Sequence, residues 1–242
     1  MTTLIANEIR KLRTIRGPWL LLAAGPVLVI TGVAGEFVGG ADVTQPGLAH
    51  LSVGHTGLVS LVALIFGITA VAGEYRHKTI TDTYLATPRR GRVIAAKFAV
   101  YTTVGAAFGV VLAITAGVAT AAAIAANGGS LDLSNSDLWR TLAGGVAVNA
   151  ALAALGVSLG ALIRNLAAAL AAALAWIALV EGLIGELISD LEPWLPFAGG
   201  QALGRMPGAP DISQSTGGLL LAGYAVVFAA IATATSVRRD IT

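Results

Sequence analysis

Apolar residues in this chain come in long unbroken runs, with short polar clusters between them. A helix needs about 20 mostly apolar residues to cross a hydrocarbon core of about 30 Å. Six runs reach that length: residues 18–38, 51–72, 98–126, 142–163, 166–188 and 218–237. None alternates strictly, as a barrel strand would. The pattern therefore predicts an all-α integral membrane protein built as a single transmembrane domain. The third run is long enough to tilt or to extend beyond the bilayer. Only Arg164 and Asn165 divide the fourth run from the fifth, and residues 151–187 are too many for one crossing, so a tight helical hairpin is expected there.

Composition agrees with this pattern. Of 242 residues, 56% are hydrophobic and 12% are charged. A soluble domain carries about 25% charge, so this chain cannot cover a soluble surface. A disordered chain, a coiled coil and a soluble nucleic-acid binder are excluded on the same ground. The absence of cysteine excludes disulfides, zinc ribbons, iron–sulfur clusters and thiol nucleophiles. His50, His55 and His77 fall at span ends without metal-ligand spacing.

The position of the charges matters more than their sum. With a cytoplasmic N-terminus, thirteen of the 15 Lys and Arg residues fall on the inner side, and only Arg140 and Arg205 on the outer. The positive-inside rule then puts both termini in the cytoplasm. The first span, with its basic lead, reads as an uncleaved signal-anchor, because its apolar run exceeds that of a signal peptide. Residues 3–16 read as an interfacial amphipathic helix, with Ile5, Ile9, Leu12 and Ile15 on one side and Asn7, Arg10, Lys11 and Arg13 on the other. Residues 189–217 carry Trp194 and Phe197 among four prolines and suggest a re-entrant or interfacial segment on the outer side.

The longest cytoplasmic loop, residues 74–97, holds six cations. Within it Ile80, Tyr84 and Thr87 share a helical face, and Pro88 stops that helix. A short helix pinned between two spans suits docking on a soluble partner. The plainer reading is a basic loop that only sets topology.

The order of residues in this loop resembles that of the ABC-2 type transporter permease family. There the second span ends in Glu, followed by a basic or aromatic position, a Thr, a short helix, Pro-x-Arg and a Lys about seven residues later. Here these positions are Glu74-Tyr75-Arg76, Thr79, Thr87-Pro88-Arg89-Arg90 and Lys97. The family often has Gly before the Thr, where this chain has Lys78. The resemblance implies the membrane half of an ATP-driven exporter. Two permeases would pair, as homodimer or with a paralogue, in the bacterial plasma membrane. Two cytoplasmic ATPase subunits would carry ATP and Mg and press on the coupling residues Glu74, Tyr75, Arg76, Thr79, Ile80, Tyr84, Pro88 and Arg90. The chain contains no G-x-x-x-x-G-K-[ST]. Hydrolysis is accordingly expected of a separate polypeptide, with no cofactor on this one and lipid, rather than nucleic acid, as its other contact.

Glu181 lies inside the fifth span. A carboxylate at that depth costs about 3 kcal/mol on insertion scales and faces the bundle interior or a wet cavity. It is either a contact in the substrate pathway or a structural carboxyl bonded to Asn149, Ser158 or Trp176. The alternative to an ATP-driven permease is a stand-alone secondary transporter or channel.

Overall fold

A computed structural model of the chain describes residues 1–87 and 89–238, with side chains up to residue 235. Every apolar run becomes a helix, because a backbone surrounded by hydrocarbon must satisfy its own polar groups. The order is α1 (Thr2–Thr14), α2 (Arg16–Val38), α3 (Leu48–Val53), α4 (His55–Leu58), α5 (Ser60–Arg76), α6 (Ile80–Ala86), α7 (Arg90–Ala126), α8 (Ser136–Ile163) and α9 (Leu166–Ala175). A π-helical segment (Trp176–Glu181), α10 (Gly182–Leu187), a 3-10 turn (Glu192–Trp194), α11 (Pro196–Gly204) and α12 (Gln214–Arg238) complete it. The described residues contain no strand. Six stretches are long and apolar enough to cross a membrane: α2, α3–α5, α7, α8, α9–α10 and the first 22 residues of α12.

The expected spans are all present, several of them with extended or broken ends. The third begins eight residues early, at Arg90, because the basic stretch Arg90–Lys97 continues the helix. The second is interrupted at Gly54 and Val59. The Asn149 amide, on α8, donates to the Thr56 carbonyl at this break (3.1 Å). The hairpin between α8 and α9 turns on Arg164, at φ 59°, and Asn165, whose side chain accepts from the Ala168 amide and caps α9.

Helix α8 is the hub, packed between α5, α7, α11 and α12. Small residues permit this close approach, which in lipid must come from packing rather than water release. A Cβ on Gly105 or Gly109 of α7 would meet the α8 backbone, and one on Gly156 or Gly160 would meet that of α5. Gly35 of α2 faces open space and makes no such contact. Phe66, Ile68, Leu112, Leu138, Val148 and Leu152 fill the buried centre. The outer helices α2, α9–α10 and α12 leave most of their apolar surface uncovered.

The segment between α10 and α12 is folded into the bundle. Helix α11 packs on α8 and α12, and Ala198, Gly199, Gly200 and Ala202 are buried.

Candidate functional site

Four ionisable side chains meet where α1 crosses the ends of α5 and α7. Lys97 of α7 is 1% exposed. Its Nζ donates to Glu74 Oε1 (2.7 Å), Glu8 Oε2 (2.9 Å) and the Ala70 carbonyl (3.2 Å). All three ammonium protons therefore have acceptors. Lys11 Nζ donates to the same Glu74 Oε1 (2.7 Å) and to Glu8 Oε1 (2.8 Å). Two anions and two cations thus alternate, with no net charge, and tie α1, α5 and α7 together. Burial of a charge is costly unless it is paired and hydrogen-bonded; every charge here is paired, although Glu74 Oε2 is buried without a hydrogen-bond partner. Burial alone would lower the Lys11 pKa, but the bonds to Glu74 and Glu8 outweigh it and hold the ammonium above its usual range.

Helix α5 ends in a left-handed turn. Lys78 has φ 59°, the region that favours glycine. Its amide donates to the Tyr75 carbonyl (3.2 Å) and the Thr79 amide to that of Glu74 (3.0 Å). This is the Schellman pair that satisfies the last carbonyls of a helix. The turn expected of Gly is therefore made by Lys.

Helix α6 starts directly after it. Ile80 and Tyr84 point inward and form a small cluster with Val93, Leu4 and Tyr75. The Tyr84 and Tyr75 hydroxyls are 3.4 Å apart. The Arg90 guanidinium lies 5.3 Å from the Tyr84 ring centre, and Arg164 lies 5.9 Å from that of Tyr75. Burial, then the bond with Tyr75, pushes the Tyr84 hydroxyl pKa up. Of the residues expected to couple to a partner, Ile80 and Tyr84 pack α6 against the bundle, with Tyr75 and Arg90 beside them. Arg76 and Thr79 are exposed, as are Lys78, Thr81, Asp82 and Leu85, the last at 77%. Pro88 lies outside the described residues.

Helix α1 rests on the bundle through a face that includes Glu8. Glu8 and Leu12 are buried, whereas Ile9 and Ile15 are exposed. The physical reason is Lys97: a buried ammonium needs carboxylates, so α1 turns Glu8 toward α7. Glu8 and the pairing of Lys97 were not legible as site features. The one local signal was Glu8-x-x-Lys11, a helical i,i+3 pair.

Glu181 is remote from this site. Its Oε1 accepts from Trp176 Nε1 (2.9 Å) and the Phe197 amide (3.1 Å), and its Oε2 from the Phe197 (3.0 Å) and Ala198 (3.1 Å) amides. The carboxylate caps the N-terminus of α11, where free amides and the helix dipole favour negative charge. The π-helical turn aligns positions i and i+5, which brings Trp176 and Glu181 together. Of the expected structural partners, Trp176 is the one bonded.

A cavity of ≈ 680 Å³ opens beside the ionic cluster, lined by Lys11 and Glu74 and by apolar groups including Leu12, Leu21, Phe66 and Tyr101. Fold and site together describe a multi-pass helical membrane protein with a short helix latched to one end. No family model and no curated protein matches the chain.

Proposed function

We propose that this chain is the permease subunit of an ABC-2 type exporter, worked by a separate ATPase that docks on α6. The observation that carries the reading is the mounting of α6. Its inner face is fixed by Ile80 and Tyr84, its two ends run into spans α5 and α7, and the Glu8–Lys11–Glu74–Lys97 cluster joins both spans to α1. A push on the exposed face around Leu85 and Asp82 would move these elements as one lever. This mounting agrees with the motif order Glu74-Tyr75-Arg76, Thr79, Arg89-Arg90 and Lys97. The basic end, carrying α1 and α6, would face the cytoplasm, with α1 at the interface and α11 toward the outer side. A second permease copy would complete the pathway. The mostly apolar cavity beside Glu74 suits a hydrophobic or amphiphilic cargo.

The test is co-purification with a co-expressed ABC ATPase. Leu85→Asp, on the exposed face, abolishes ATPase binding while the permease remains inserted and folded. Retention of the ATPase by Leu85→Asp and by Asp82→Arg would refute docking at α6.

A stand-alone secondary transporter has one observation in its favour. The second span is broken at Gly54 and Val59 beside buried Asn149, and discontinuous helices form substrate and ion sites in such transporters. Transport by the purified chain on an ion gradient alone would establish that reading and end the first.

A further inference from the structure

The end of the bundle opposite α1 has an open bowl of ≈ 870 Å³ between α3, α8, α11 and α12. Its lining includes Arg140, Arg205 and His50 and no carboxylate. That is unexpected, because this end is acidic: Asp132, Asp137, Glu186, Asp190, Glu192 and Asp211 all lie there. Among the described residues, Arg140 and Arg205 are the only Lys or Arg at this end, and both line one cavity.

The wall that holds them is stitched together. Gln214 Nε2 of α12 donates to the Arg140 carbonyl of α8 (2.9 Å) and to the Leu203 carbonyl of α11 (2.8 Å). Arg205 takes a left-handed backbone, φ 50°, at the end of α11, a position where a side chain costs energy that Gly would not. Its Nη1 donates to Asp137 Oδ1 (2.7 Å), which fixes one edge of the guanidinium. His50 and Arg140 lie within electrostatic reach of the same Asp137. Asp137 thus pairs with one of the two guanidiniums, while the lining itself carries both and no carboxylate. Leu51, Met206 and Ile212 supply apolar wall between the cations.

We infer that this bowl binds an anionic group, a phosphate or carboxylate on a partly apolar body, through Arg140 and Arg205. Guanidinium forks match the paired oxygens of such groups. A soluble anion and a lipid headgroup share this chemistry. The inference is independent of the ATP-driven reading, since neither its site nor its test involves a partner.

The test uses the full chain. In neutral detergent it is titrated calorimetrically with sodium phosphate. In parallel it is reconstituted in phosphatidylcholine bilayers containing phosphatidylglycerol, extracted, and its retained lipid counted by mass spectrometry. Arg140 is exposed, so Arg140→Gln leaves packing intact; Arg140→Lys keeps the charge. Saturable phosphate binding, weakened about tenfold by Arg140→Gln and less by Arg140→Lys, identifies a soluble anion. Phosphatidylglycerol retained by the wild type and lost in Arg140→Gln, without phosphate binding, identifies a headgroup. If neither anion binds, or Arg140→Gln binds both as the wild type does, the inference is overturned.

Discussion

Removal of the Lys97 ammonium tests whether the ionic cluster locks α1 to the spans. In Lys97→Met the methylenes remain, but Glu8 Oε2 loses its bond and Glu74 keeps only Lys11. Two carboxylates then share one half-exposed lysine. Breaking a buried pair by removing one partner costs about 3–5 kcal/mol, most of it from the charge left behind. Adding Glu8→Gln restores the balance, one anion to one cation. The double variant is therefore less destabilised than Lys97→Met alone, with a coupling energy of about 2 kcal/mol. Unfolding in mixed micelles, followed by Trp fluorescence, measures each corner of the cycle. Trp19 is a local reporter, because its Nε1 donates to the Leu12 carbonyl of α1 (2.6 Å). A Lys97→Met variant within about 1 kcal/mol of wild type, the range of an exposed pair, would refute a buried lock. So would a coupling energy of zero.

Four further outcomes follow from the same geometry. The folded pKa of Lys11 lies above its unfolded value of 10.5; its stabilising contribution is thus complete below about pH 10.5 and lost as pH rises through the folded pKa. In urea or micellar unfolding across pH 9–12, wild type loses stability at the alkaline end, and Lys11→Met loses less. Lys78→Gly removes the cost of a left-handed side chain and gains about 1 kcal/mol in the same unfolding assay; a loss would show that the Lys78 side chain matters more than its backbone. Gly156→Ala places a methyl against the Leu64 and Ile68 backbone and destabilises by about 1–3 kcal/mol, whereas Gly35→Ala, facing open space, does not. Glu181→Gln leaves one acceptor oxygen where two serve Trp176, Phe197 and Ala198; hydrogen exchange at the Phe197 and Ala198 amides accelerates by about tenfold or more, and unchanged exchange would dismiss the cap. The same variant, assayed for export, separates a capping role from a pathway role, because wild-type rates would remove Glu181 from the pathway.

Much of the architecture was legible from the chain alone because it is local. Twenty apolar residues without an external partner for their amides must be helical, so six spans, the Arg164–Asn165 hairpin and the short helix before Pro88 needed no knowledge of neighbours. Trp176, five residues from Glu181, was likewise among its expected partners. Which faces meet was not legible. A helix apolar on every side has no periodicity to separate the protein-facing stripe from the lipid-facing one, so α8 could not be recognised as the hub, nor α2 and α9 as the outer helices. Ile80 and Tyr84 showed a shared face but not its direction, and only contact with Leu4, Tyr75 and Val93 turned it inward. Tertiary structure also joined Glu8 to Lys97, 89 positions apart, and brought Glu181 to the amides of α11. Those pairings depend on a long-range demand, that every buried charge and every helix end find a partner, and only the folded bundle decides which partner is near enough to supply it.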